Sequence, residues 1–154
     1  SPKDNRDIPP LDYDLVYALK RARPELTIIL NGGVTTLDQA KAHLTRVDGA
    51  MMGRAAYQTP ATLLDVDPSV FGRDAPNTAR EAAVESYIPY IERNLAAGVA
   101  LHAMTRHMLG LFASQPGGRL WRRVLSERGV RAGAGVDVVL EALAQVSRAP
   151  AQAA

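Results

Sequence analysis

A chain of 154 residues that is 47% hydrophobic is long enough to bury a core and too apolar to be a disordered segment. It contains no cysteine, which excludes a disulfide framework, a thiolate metal site and a cysteine nucleophile within this stretch. The net charge of +2 conceals an uneven spread: residues 1–75 carry 9 Lys/Arg against 10 Asp/Glu, whereas residues 76–154 carry 9 against 6.

The opening residues through Pro10 are polar and proline-bearing and read as loop. No basic segment followed by an apolar one opens the chain, and no run approaches the roughly eighteen apolar residues of a membrane span, so a cytoplasmic location without a membrane partner is expected. Leu11 to Arg23 carries Leu11, Leu15, Val16 and Leu19 at helical spacing. Asp12 and Asp14 stand near its start and Lys20, Arg21 and Arg23 at its end, as the helix dipole favours, and Pro24 stops it. Two short apolar runs follow, Thr27 to Leu30 and Gly49 to Met52, closed by Asn31-Gly32-Gly33 and by Gly53-Arg54. Thr36 is placed to cap a helix over Leu37 to Leu44, and Thr59-Pro60 to start a short one through Leu64. Strand, glycine turn and helix, repeated, is the pattern of a parallel βαβ unit. Two parallel strands with their helices cannot bury both faces of a sheet, so residues 1–75 are expected to be the end of a larger α/β domain.

Val66 to Asn77 shifts to Asp, Pro, Gly and Arg and reads as a linker. Beyond it the periodicity predicts helices over Thr78 to Leu95, kinked at Pro89, then Leu101 to Phe112, Leu120 to Arg128 and Val136 to Val146. Short connections make these a small helical bundle over residues 76–148, with an Ala-rich tail at 149–154 expected to fray.

Glycines at the carboxyl ends of adjacent parallel strands leave backbone N–H groups uncovered, which is what a phosphate needs. Asn31-Gly32-Gly33 alone commonly serves only to turn the chain. The second closure strengthens the phosphate reading, because a (β/α)8 barrel commonly builds its phosphate site from the turns after its last strands and the start of a short helix. Arg54 then offers a permanent charge and a bidentate fork, its plainer role being an ion pair with a neighbouring helix. Arg119, Arg122 and Arg123 lie at i, i+3 and i+4 and share one helix face. With His102, Arg106 and His107 nearby and no acid between His102 and Arg123, contact with a nucleic-acid backbone is favoured over a solvated face. Trp121 points elsewhere, into the bundle core. His107 is open to two readings, member of the basic run or hydrogen-bonded core histidine. Lys3 and Arg6 are unspecific by themselves, and the histidines at 43, 102 and 107 lack metal-ligand spacing, so no metal is expected.

The run Asn5-Arg6-Asp7-Ile8-Pro9-Pro10-Leu11, the turn Asn31-Gly32-Gly33, Asp48-Gly49 followed by Met52-Gly53-Arg54 with Tyr57, then Pro89-Tyr90-Ile91-Glu92, Thr105-Arg106-His107-Met108-Leu109-Gly110-Leu111-Phe112 and Trp121-Arg122-Arg123 together resemble the carboxyl-terminal half of tRNA-dihydrouridine synthases, closely the A subfamily. The likeness extends to about Val146. It implies an α/β plus all-α fold, the carboxyl-terminal part of a TIM (β/α)8 barrel followed by a small helical-bundle domain. It implies FMN as cofactor, NADPH as reductant, tRNA as partner, a monomer when full-length, and reduction of uridine in the tRNA D-loop. By the same resemblance Asn31, Gly32, Gly33, Gly53 and Arg54 hold the FMN phosphate, while Lys3, Arg6, Arg119 and Arg122 touch tRNA. The family's catalytic cysteine has no counterpart here, so the chain is expected to be a fragment without catalytic residues of its own and inactive alone. Two other readings stay open: a non-enzymatic RNA-binding module, and another FMN- or phosphate-binding barrel oxidoreductase.

Overall fold

The computed structural model describes residues 11–147, and the chain divides into two compact units, Ser1–Ala55 and Ala56–Ala154. The first contains α1 (Tyr13–Ala22), β1 (Ile29–Asn31), α2 (Leu37–Leu44), β2 (Gly49–Met51) and the start of α3 (Gly53–Gln58). Asp12 caps α1 by accepting from the Leu15 N–H at 3.0 Å, and Thr36 caps α2 by accepting from the Gln39 N–H at 3.2 Å. The strands pair in parallel with Ile29 opposite Gly49, Leu30 opposite Ala50 and Asn31 opposite Met51.

Asp48 sets that register. Its Oδ2 accepts from the Ile28 N–H and from Lys20 Nζ, each at 2.8 Å, while its own N–H donates to the Ile28 carbonyl at 3.0 Å. The Ile28 N–H first, and Lys20 second, hold this carboxyl below the usual carboxylate range. Lys20 Nζ also donates to the carbonyls of Pro24 and Leu26, so one ammonium ties down the turn that Pro24 forces after α1.

Tyr17, Leu30, Val34, Ala40 and Val47 form the core of this unit, with Tyr13, Val16, Ile28, Ala50 and Met52 packed against it. The helical spacing of Leu11, Leu15, Val16 and Leu19 is realised, but the face that packs is Tyr13, Val16 and Tyr17; Leu15 and Leu19 are exposed. His43 is buried and hydrogen-bonds through Nδ1 to Tyr17 Oη at 2.5 Å. Among the described residues of this unit, the sheet is covered on one side only. Leu30 is 3% exposed, whereas Ile29 and Met51, on the opposite face, are 60% and 49% exposed.

The second unit holds the end of α3, a 3-10 segment (Pro60–Asp65), one π-helical turn (Asp67–Phe71), α4 (Arg80–Ala96), α5 (Leu101–Thr105), α6 (Gly118–Arg128) and α7 (Val136–Ser147). Helix α7 packs on α6 and α4, and α5 on α4 and α6. Trp121, Phe112, Ile91, Leu101, Leu125 and Val84 are the largest fully buried apolar side chains. Ala61 is buried in the same cluster with Leu64 against it, so the compact units part between Ala55 and Ala56, ahead of the composition shift at Val66. Apolar side chains in the 3-10 segment decide that membership; the Asp- and Pro-rich stretch marks surface turns.

The expected helix over Leu101 to Phe112 stops at Thr105. The chain continues as successive i to i−3 turns, with N–H groups of Met108, Leu111 and Ala113 bonded to carbonyls of Thr105, Met108 and Gly110. Distant side chains anchor this segment through its carbonyls: Trp121 Nε1 donates to Met108 O at 3.2 Å and Arg80 Nε to Leu111 O at 3.1 Å. Gly110 lies so close to the Gln58 carbonyl that a Cβ would collide with it. Helix α4, in contrast, runs unbroken through Pro89. Among the described residues no helix is long and apolar enough to cross a membrane.

Candidate phosphate and nucleic-acid sites

In the first unit, Asn31 ends β1 opposite Met51 of β2, so the two glycine turns leave neighbouring strands side by side. Neighbouring strands stand about 4.8 Å apart, within the span of one phosphate and its ligands. Gly33 has φ +67°, and a Cβ there would lie 2.6 Å from Leu11 Cδ1 and 2.7 Å from Tyr13 Oη. At Gly32 a Cβ would meet Leu11 Cδ2 at 2.7 Å, and Tyr13 Oη donates to the Gly32 carbonyl at 2.9 Å. Backbone conformation therefore favours glycine at Gly33, whereas at Gly32 the near contact is the far end of the exposed Leu11 side chain, which can turn aside.

Gly53 is different. A Cβ at this position meets nothing within 4 Å, and its φ lies outside the left-handed region. Packing among the described residues does not call for glycine here, which leaves an approaching ligand as a reason for the missing side chain. The adjoining Arg54 is exposed and makes no ion pair among the described residues. Open backbone beside a guanidinium without an acidic partner among the described residues suits an anion.

In the second unit, α6 buries Gly118, Trp121 and Leu125 on one stripe, which turns Arg119, Arg122 and Arg123 to solvent. Together with Ser126 they line a shallow depression of about 400 Å³. None of the three is paired with an acid among the described residues, whereas Arg128 on the same helix is paired with Glu141 of α7. Trp121 crosses Phe112 edge to face at 4.8 Å in the core, as its helical phase predicted. Lys3 and Arg6 lie outside the described residues.

His107 is exposed, which removes the reading of it as a core histidine. Arg106 Nε donates to His107 Nε2 at 3.1 Å, and His107 Nδ1 hydrogen-bonds to Tyr57 Oη at 3.3 Å. Sequence reasoning missed this trio because Tyr57 is fifty residues from His107, and it gave Ser126 no role. No group of three metal-type side chains occurs among the described residues.

A family profile described as dihydrouridine synthase (Dus) matches residues 1–147. The chain belongs to the dihydrouridine synthase family. It is 52% identical over 146 residues to the tRNA-dihydrouridine(20/20a) synthase of Vibrio cholerae, covering 95% of this chain and 45% of that protein. It is 55% identical over 147 residues to the enzyme of the same name from Yersinia pestis, covering 96% of this chain and 43% of the relative. The corresponding protein of Haemophilus ducreyi is 52% identical over 143 residues, which is 93% of this chain and 44% of the relative. This dihydrouridine synthase chain thus spans a little under half the length of the curated relatives it matches.

Proposed function

We propose that the intact protein containing this chain is a flavin-dependent tRNA-dihydrouridine synthase of the A subfamily. It reduces uridine to 5,6-dihydrouridine in the tRNA D-loop, at the positions 20 and 20a that its relatives' names specify, as a cytoplasmic monomer with NADPH as reductant. The observation that carries the reading is Gly53, a glycine that packing does not demand, beside the exposed Arg54, just after β2 and next to the parallel strand that ends in Asn31-Gly32-Gly33. In this assignment the first unit is the end of a TIM barrel. Its uncovered sheet face at Ile29 and Met51, and the exposed Leu15 and Leu19 of α1, are surfaces that the rest of such a barrel would cover.

Asn31, Gly32, Gly33, Gly53 and Arg54 would hold the phosphate of FMN. The open space at Gly53 and the exposed guanidinium fit that group, with backbone N–H groups and Arg54 sharing its charge. When bound, FMN supplies the hydride that reduces uracil. The helical unit would hold tRNA through Arg119 and Arg122, with Lys3 and Arg6 adding contacts. The chain carries no cysteine to donate a proton to the base, so it supplies grip and orientation and is inactive alone.

Flavin absorbance in the purified intact gene product tests the assignment. Arg54→Ala is expected to weaken FMN binding by roughly 10- to 100-fold, the worth of a charge-assisted phosphate contact; FMN affinity equal to the parent's removes the phosphate site. For tRNA, the double substitution Arg119→Ala and Arg122→Ala lowers the dependence of log Kd on log salt by about 1.4 to 1.8. An unchanged slope removes both arginines from the interface.

A further inference from the structure

A second cavity adjoins the arginine depression on α6. It measures about 190 Å³ and is lined by His102, Arg106, Leu109, Leu125, Ser126 and Val130 among others, so Ser126 borders both hollows. We propose that this cavity receives one unstacked base of the same RNA whose phosphates the arginine face holds, which rests on the tRNA-binding reading above.

Its lining divides by chemistry. Leu109, Leu125 and Val130 make an apolar wall, with Leu125 fully buried and Val130 58% exposed to whatever enters. A phosphate gains nothing from such a wall, whereas the flat face of a base does. His102, Arg106 and Ser126 are exposed polar groups around it, able to stack on or hydrogen-bond the edge of a heterocycle. A mere packing gap would be apolar throughout. Arg106 is oriented before any ligand arrives, because its Nε is committed to His107, itself bonded to Tyr57. Its terminal amino groups have no partner among the described residues. No carboxylate lines either hollow, so a strand crossing from one to the other meets no like charge there. The volume lies below the roughly 300–1,000 Å³ of pockets for drug-sized ligands, which suits a single ring system and not a whole nucleotide. Sequence-specific RNA recognition favours such splayed bases from loops.

The test is a binding cycle on the intact gene product, using tRNA transcripts in which one unpaired nucleotide at a time is made abasic. Ser126→Leu fills the shared rim without removing any arginine, and Val130→Ser removes apolar wall at an exposed position. One abasic position is expected to weaken binding of the parent on the order of tenfold. Ser126→Leu weakens intact tRNA by a similar factor with an unchanged salt slope, and that abasic position then costs it nothing further; Val130→Ser gives a smaller loss in the same direction. If every abasic tRNA binds the parent like the intact one, or if the abasic loss is undiminished in Ser126→Leu, the base pocket is overturned while the arginine contacts stand. If tRNA binding shows no salt dependence attributable to Arg119 and Arg122, both readings fall.

Discussion

Gly53→Ala separates a glycine kept for a ligand from one kept for the fold. The added methyl meets no atom within 4 Å and the backbone lies outside the left-handed region, so the substitution carries no steric cost. By restricting the unfolded chain it adds about 0.4–1 kcal/mol of stability. At the proposed FMN site its expected effect runs the other way. A backbone N–H holds a phosphate oxygen at about 2.9 Å, whereas a carbon keeps it beyond about 3.3 Å. Displacing the phosphate by that difference forfeits at least one charge-assisted hydrogen bond, about 1.5–3 kcal/mol, or roughly 10- to 150-fold in Kd. Gly33→Ala is the contrasting control: φ +67° and the nearness of Leu11 and Tyr13 make it a folding lesion, costing about 1–3 kcal/mol. Flavin-fluorescence titration and thermal melting of the intact protein read the two effects separately. An alanine at 53 that leaves FMN affinity at the parent's value refutes the phosphate argument, and one that lowers the melting temperature refutes the reading of open space.

Trp121→Phe removes the indole donor to the Met108 carbonyl, which keeps its bond from the Leu111 N–H, and leaves a void against Phe112, a loss of about 1–3 kcal/mol that circular dichroism on heating registers as a lower melting temperature. Gly110→Ala drives a methyl into the Gln58 backbone, so it destabilises the same unit by about 1–3 kcal/mol and exposes the 105–118 segment to faster hydrogen exchange. Asp48 has a depressed pKa, so its contribution is fully present above the ordinary aspartate range and is lost as pH falls through the lower folded value. Asp48→Asn is therefore expected to flatten melting temperature against pH between about pH 5 and 2; an acid limb as steep as the parent's refutes the clamp.

Much of the local plan was legible. Thr36 and the α2 bounds, the glycine closures of both strands and the outward phase of Arg119, Arg122 and Arg123 follow from caps, turn chemistry and helical period, all of which act over a few residues. The misreadings share one cause. Leu101 to Phe112 has helical spacing, but Gly110 is held against the Gln58 backbone, and Trp121 and Arg80 anchor the segment through the Met108 and Leu111 carbonyls. Leu15 and Leu19 have the spacing of a buried stripe, yet Tyr13, Val16 and Tyr17 pack instead because they face Leu30 and Ala40. Periodicity finds a helix without saying which of its faces has a neighbour.

The sequence by itself determined the family, the order of strands, turns and helices, and the separation of charge that leaves α6 with a basic face. Residue type and spacing encode these directly. Only the tertiary structure distinguished Gly53, where a side chain would have room, from Gly33, where the backbone is left-handed and Leu11 and Tyr13 stand close. It alone bonded Tyr57 to His107 and His107 to Arg106, and set Ser126 on the rim of two hollows. Those facts depend on distances between residues far apart in the chain, and such distances exist only after the core around Trp121 and the βαβ register at Asp48 have closed.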